Sequence, residues 1–185
     1  MRPALKVLVC GSFSTGKTTT LTALRLAMDR RGIRGDVLDE PARACPLPLH
    51  AGQSLATSGW LLGEIIRSEC ALSGAGAQVL LCDGGPPGVV AHDRAAGGRG
   101  AGVVSALAEA WMPTYDLVYR AEVDHTIPVR ADDLRAVDPV YRDDVERNLV
   151  DWCARTGVHA TTLPHPPRDR VDLMCRSIAA RLSSW

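Results

Sequence analysis

Short apolar runs alternate along this chain with longer amphipathic stretches. The runs at residues 5–10, 36–39, 78–82, 115–120 and 158–163 have the length and character of strands. Between them, residues 17–31 place Leu21, Leu24 and Met28 on one helical face, and residues 53–72 carry Trp60, Leu61, Ile65 and Ile66 as apolar positions. Further helices are predicted over 103–111, toward Cys153 out of an arginine- and aspartate-rich stretch at 130–147, and over 170–182. This alternation predicts βαβ units and a parallel sheet. Gly32 closes the first helix as a C-cap, Pro41 stops the second strand, and Pro46 and Pro48 mark a loop. Residues 84–88, Gly-Gly-Pro-Pro-Gly, read as a loop, and 97–102 as a glycine-rich loop between helices. The Gly-x-Gly spacing there follows no strand, which rules out a dinucleotide fingerprint. With no internal repeat or linker, residues 1–185 are expected to form one domain.

The first strand leads directly into residues 11–18, Gly-Ser-Phe-Ser-Thr-Gly-Lys-Thr. This is the P-loop pattern G-x-x-x-x-G-K-[ST], which names a ligand class: nucleotide phosphate. Gly11, Ser12, Phe13, Ser14, Thr15 and Gly16 form the cradle, and the glycines let successive N–H groups point at phosphate oxygens. Lys17 supplies the mobile cation for the β- and γ-phosphates. Thr18 supplies a hydroxyl for Mg²⁺, and Thr19 continues the helix N-terminus that faces the anion. ATP and Mg²⁺ are the cofactors this predicts. Lys17 and Lys6 are the only two lysines in a chain whose other cations are arginines.

Composition narrows the partners. The formal net charge is zero, so no basic field argues for nucleic acid or an anionic membrane surface. Aromatics make up only 4%, too few for a base-stacking surface. No apolar stretch reaches the ~20 residues of a membrane span, and there is no signal-peptide pattern. Six scattered cysteines lack zinc spacing and read as reduced thiols of a cytoplasmic protein. His50, His92, His125, His159 and His165 form no metal pattern and receive no catalytic role. The oligomeric state is open, with a homodimer among the alternatives.

Three acids reach the C-terminal edge of the predicted sheet, where ligands of open α/β folds bind: Asp39, Glu40 and Asp83. Asp83 follows an apolar strand, as an acid that orients Mg²⁺ through water does; a turn cap is the other reading. Asp39 or Glu40 would accept the proton of a substrate hydroxyl, or would simply end the strand in solvent. Arg130, Arg135, Arg142 and Arg147 lie late in the chain. Of these, Arg135 and Arg142 are the expected cations of a lid at about 127–147 that closes over the γ-phosphate; a solvated helix face is the alternative. Trp60 and Glu64 are an i,i+4 pair that would contact an acceptor, with a plain core role equally open for Trp60.

Beyond the P-loop, a series of short segments recurs in order. They are Asp39-Glu40-Pro41-Ala42-Arg43, Gln53 with Ser58-Gly59-Trp60, Cys82-Asp83, Tyr115-Asp116-Leu117-Val118-Tyr119, and Asp133-Leu134-Arg135 with Asp138-Pro139-Val140-Tyr141-Arg142. Through them the chain resembles the small P-loop kinases related to the ribosylnicotinamide kinase domain of the bifunctional NAD-biosynthesis regulator. That group is also described as AAA-like ATPase domains and is similar to thymidylate and deoxynucleoside kinases. The resemblance implies a three-layer α/β fold with a five-stranded parallel sheet of order 2-3-1-4-5. It also implies transfer of the γ-phosphate of ATP to a hydroxyl of a nucleoside or nucleoside-like small molecule. Modification of a nucleoside antibiotic or other natural product, and a regulatory ATPase with no acceptor, are the alternatives. One position departs from the family: its Asp-Arg pair after strand three is Asp83-Gly84 here. Gly84 therefore marks the substrate side as unlike that of the relatives.

Overall fold

The chain is described by a computed structural model that covers residues 4–98, 100–126 and 138–184. Its centre is β1 (Leu5–Cys10), buried along its whole length because strands flank it and helices cover both its faces. The other strands are β2 (Gly35–Leu38), β3 (Val79–Asp83), β4 (Leu117–Arg120) and β5 (Thr161–Thr162). All pair in parallel, in the order β2-β3-β1-β4-β5. The expected sheet order is therefore the observed one.

The period-2 alternation of the central strands feeds two cores. Leu5, Val7 and Val9 face α1 (Lys17–Asp29) and α6 (Pro167–Ser183), packing on Leu21, Leu24, Met174 and Ile178. Leu8 and Cys10 face the other layer: α2 (Leu55–Ser73), α3 (Gly85–Ala95), α4 (Ala101–Trp111) and α5 (Pro139–Thr156). Helix α2 starts at a capping box between Ser54 and Thr57. Helix α5 starts where the Asp138 side chain accepts from the Val140 N–H at 2.8 Å. At the end of the sheet away from the P-loop, Lys6 is buried against Glu69 at 2.5 Å, and Glu69 also accepts from the Trp111 indole at 2.8 Å. This network ties β1, α2 and the end of α4 together. Burial pushes the Cys10 thiol up to about 12, which makes it a core residue rather than a nucleophile.

Residues 84–88 differ from the expected loop. Gly84 ends β3 at φ 79°, and the Gly-Pro-Pro-Gly segment is the first turn of α3. Proline is well tolerated there, because the first helical N–H groups have no intrahelical partner in any case. Gly85 is required by packing: a Cβ on it would lie 2.4 Å from Leu8 Cδ1, so α3 approaches β1 closely only without a side chain. Strand β5 is shorter than expected, two exposed residues pairing with Tyr119 and Arg120 at the sheet edge. Residues 127–137 of the expected lid, Arg130 and Arg135 among them, lie outside the described residues. Arg142 and Arg147 fall on α5.

Candidate functional site

The P-loop runs between the C-terminal end of β1 and α1. Gly11 has φ 146°, and a Cβ there would meet the Ala121 carbonyl oxygen at 2.3 Å. Gly16 is left-handed at φ 80°, immediately before the helix. Side chains from distant elements brace the loop. The Ser12 hydroxyl donates to the Arg142 carbonyl at 3.0 Å, and Ser12 N–H to Glu146 at 3.3 Å. Arg170 donates to the Thr15 carbonyl at 2.8 Å and to the Pro164 carbonyl at 2.7 Å. The Lys17 ammonium is buried and donates to the carbonyls of Gly11 and Ser12, at 3.0 and 2.8 Å. Among the described residues this buried cation pairs only with neutral carbonyls, which makes it a receptor for an anion.

At the start of α1 the Thr18 hydroxyl donates to Asp83 Oδ2 at 2.5 Å. The other oxygen, Asp83 Oδ1, is buried and makes no hydrogen bond. A hydroxyl beside a carboxylate with a spare buried oxygen is a hard, all-oxygen donor set, and it fits Mg²⁺. Among the described residues no group of three or more histidine, cysteine, aspartate or glutamate side chains forms a separate metal centre.

A cavity of about 200 Å³ opens directly from this pair. Thr18, Asp83, Asp39 and Glu40 line its polar end; Phe13, Leu61, Ile65 and Val89 line its apolar walls, with Gln53 and His92 between. The structure thus brings Phe13, Thr18, Asp39, Glu40 and Asp83 into one cavity. Gly84 lies beside Glu40: a Cβ there would come within 3.5 Å of Glu40 Oε1. Arg142 is buried beneath the P-loop; its Nε lies 3.9 Å from the Asp143 carboxylate and makes no hydrogen bond.

Trp60 and Glu64 do not line this cavity, but Glu64 lines a neighbouring one together with Asp39, Glu40 and Ile65. Trp60 packs partly buried against the α2–α5 core. Glu64 pairs with Arg67 and Ser68 on the outer side of α2, and the Arg67 guanidinium holds its carboxyl below the usual range. The residues one position on, Leu61 and Ile65, line the cavity instead. One residue is about 100° of helix rotation, which apolar periodicity alone does not resolve.

Four rings form a feature of the site that sequence reasoning missed. Phe13 of the P-loop, His50, His92 of α3 and Tyr141 of α5 all lie within 5.7–6.3 Å of one another, centroid to centroid. His92 Nδ1 and the Tyr141 hydroxyl are 3.1 Å apart. Burial, with His50 and Lys17 nearby, pushes His92 down to about 3, so its ring is neutral in use. No sequence signal pointed to His50 or His92; Tyr141 stood in the Asp-Pro-Val-Tyr-Arg segment.

The low His92 value has a measurable consequence. The unfolded chain titrates this ring near 6.5, the folded protein near 3. Between these values the unfolded state binds more protons, so stability rises with pH through this window and is lost as pH falls from 6.5 toward 3. The expected contribution is about 1.4 kcal/mol per pH unit within the window. Thermal melts of wild type and His92→Phe from pH 4 to 7 check it. A variant with the same acid slope as wild type refutes it.

The comparisons agree with this geometry. No curated protein matches the chain. Among solved structures, a NadR protein in complex with NR superposes with a TM-score of 0.63 at 17% identity over 86% of this chain. The chain spans only 43% of that NadR chain. Thymidylate kinase from Candida albicans gives 0.69 at 12% identity, over 97% of this chain and 92% of its own. Deoxyadenosine kinase from M. mycoides gives 0.65 at 10%, over 95% and 100%. These three share the P-loop kinase fold with it. The model of the AAA domain family matches residues 6–170, from β1 through the arginine that braces the P-loop, and the chain therefore belongs to that family.

Proposed function

We propose that the protein is an ATP- and Mg²⁺-dependent phosphotransferase that acts on a hydroxyl of a nucleoside or nucleoside-like small molecule. One observation carries this reading: a single cavity joins the Thr18–Asp83 pair to the carboxylates of Asp39 and Glu40 and to a ring-lined wall. An ATPase that acts on nothing but water does not need a formed, partly apolar chamber beside its metal pair.

Lys17 and the N–H groups of residues 13–18 would hold the β- and γ-phosphates, and Thr18 with Asp83 would hold Mg²⁺. When bound, Mg²⁺ neutralises phosphate charge as the γ-phosphoryl transfers. Asp39 or Glu40, at the end of β2, takes the proton of the attacking hydroxyl. Phe13 and the aliphatic wall of Leu61, Ile65 and Val89 exclude water from the chamber and orient the acceptor. Arg135 of the expected lid over 127–147 is proposed to place cationic charge over the donor phosphates, and Arg142, buried beneath the P-loop, to add positive charge from below. Gly84 adds specificity. Where relatives carry an arginine, this chain has a backbone at φ 79°, ψ −64°, facing Glu40 rather than a cation. Without an arginine at 84, a phosphate on the acceptor loses a fixed cationic partner at that position, although Arg43 lines the same cavity, so the expected acceptor is an alcohol without a phosphate.

The test is acceptor-dependent ADP release across nucleosides, their monophosphates and related alcohols. Release should be slow without acceptor, at least tenfold faster with the right alcohol, and weak with every monophosphate. Asp39→Asn and Glu40→Gln identify the base by which one lowers kcat while ATP affinity is kept. ADP release indifferent to every acceptor overturns the proposal, as does a monophosphate preferred over every alcohol.

A further inference from the structure

Behind the cavity wall lies a buried polar chain that nothing above uses. The Gln53 amide nitrogen donates to Ser58 Oγ at 3.0 Å and to the Val89 carbonyl at 3.3 Å. Ser58 in turn donates its hydroxyl proton to Asp93 Oδ1 at 2.9 Å. Ser58 and Asp93 are almost fully buried, at 0% and 2% exposure. Asp93 Oδ2 makes no hydrogen bond, and among the described residues no cation pairs with this carboxylate.

The direction of this chain follows from donor counting. A carboxylate only accepts, so the one proton of Ser58 points at Asp93 and its oxygen is left to accept from Gln53. The Val89 carbonyl also only accepts. Turning the Gln53 amide over would set its oxygen against two acceptors. Its nitrogen is therefore locked inward, and its carbonyl oxygen is the group Gln53 has left for the cavity it lines. Polarisation along the chain strengthens that oxygen as an acceptor. A bare buried carboxylate is costly. An asparagine of the same shape would avoid the charge, but it can turn over and donate to Ser58, which would let Ser58 donate to Gln53 and leave only the longer bond to the Val89 carbonyl, 3.3 Å, to oppose a flip of the amide.

We propose that Asp93 is a positioning residue: through Ser58 it fixes the polarity of Gln53, so the pocket admits an acceptor molecule that bears a hydrogen-bond donor, a lactam or imide N–H, on the part that enters beside Leu61 and Val89. This rests on the phosphotransferase reading above and narrows its substrate class. A site built to receive an N–H rejects the analogue that lacks it, because its own buried oxygen is then left unpaired.

The experiment uses paired probes on the whole protein: uridine with 3-methyluridine, thymidine with 3-methylthymidine, and inosine with 1-methylinosine, each assayed for ADP release with ATP and Mg²⁺. Wild type should favour the N–H member of a used pair at least tenfold, mainly through KM. Asp93→Asn and Ser58→Ala should bring that ratio to within about threefold, while Asp93→Asn melts no lower than wild type. A purely steric rejection of the methyl group, or a purely structural role for Asp93, would leave the ratio unchanged in both variants and overturn the inference. Equal use of both members by wild type also overturns it. If none of the probes is used but another alcohol drives ADP release, this inference falls and the phosphotransferase reading stands. If no alcohol does, both fall.

Discussion

Lys17→Ala should lower phosphoryl transfer by about 10³-fold or more, the size expected when a preorganised charge is taken from a developing phosphoryl transition state. The buried Lys17 ammonium is held within the loop by the carbonyls of Gly11 and Ser12. That arrangement places a desolvated cation where the phosphates must lie, and its attraction there is far stronger than in water. The fold itself should survive. The P-loop keeps the Arg170, Ser12 and Glu146 braces, none of which involves the Lys17 side chain. Removing a cation without a carboxylate partner should leave the melting temperature within a few degrees. Circular dichroism and thermal melts establish folding, and ADP release with the best acceptor measures the loss. A folded Lys17→Ala protein that turns over at the wild-type rate would refute the P-loop assignment.

Local signals carried far in this chain, and they stopped where packing decides. Residues 5–10 announce a central strand because a parallel strand covered on both faces must be apolar throughout. The P-loop is legible because its backbone geometry demands glycine at 11 and 16. The start of α3 was not legible: Gly-Gly-Pro-Pro-Gly has the composition of a loop, and only the contact between Gly85 and Leu8 shows why a helix begins there. On α2 the cavity beside the Thr18–Asp83 pair takes Leu61 and Ile65, while Glu64 lines the neighbouring cavity with Asp39 and Glu40, a difference of helix rotation that spacing alone does not resolve. The ring cluster joins positions 13, 50, 92 and 141, which no spacing rule connects. The same holds for Gln53, Ser58 and Asp93, whose link exists only once α2 lies on α3.

Asp83→Asn separates metal handling from nucleotide binding. Asp83 ends the buried strand β3 and holds the Thr18 hydroxyl through one oxygen, while the other is buried and unbonded. An uncompensated carboxylate in that position lowers the stability of the protein without Mg²⁺, and a bound divalent cation removes the penalty. Asparagine keeps the shape, drops the charge and turns half of the donor set into an N–H₂ group that cannot face a cation. The Mg²⁺ concentration for half-maximal activity should therefore rise at least tenfold, and kcat at saturating Mg²⁺ should fall by about 10²-fold. Stability should move the opposite way. Without Mg²⁺ the variant should melt at or above wild type, because a buried bare charge has gone. With MgATP wild type should gain several degrees, and the variant much less. Titrating Mg²⁺ in the ADP-release assay and in thermal melts reads both effects on one preparation. An unchanged Mg²⁺ requirement would place the metal elsewhere and leave Asp83 as a cap on the start of α1.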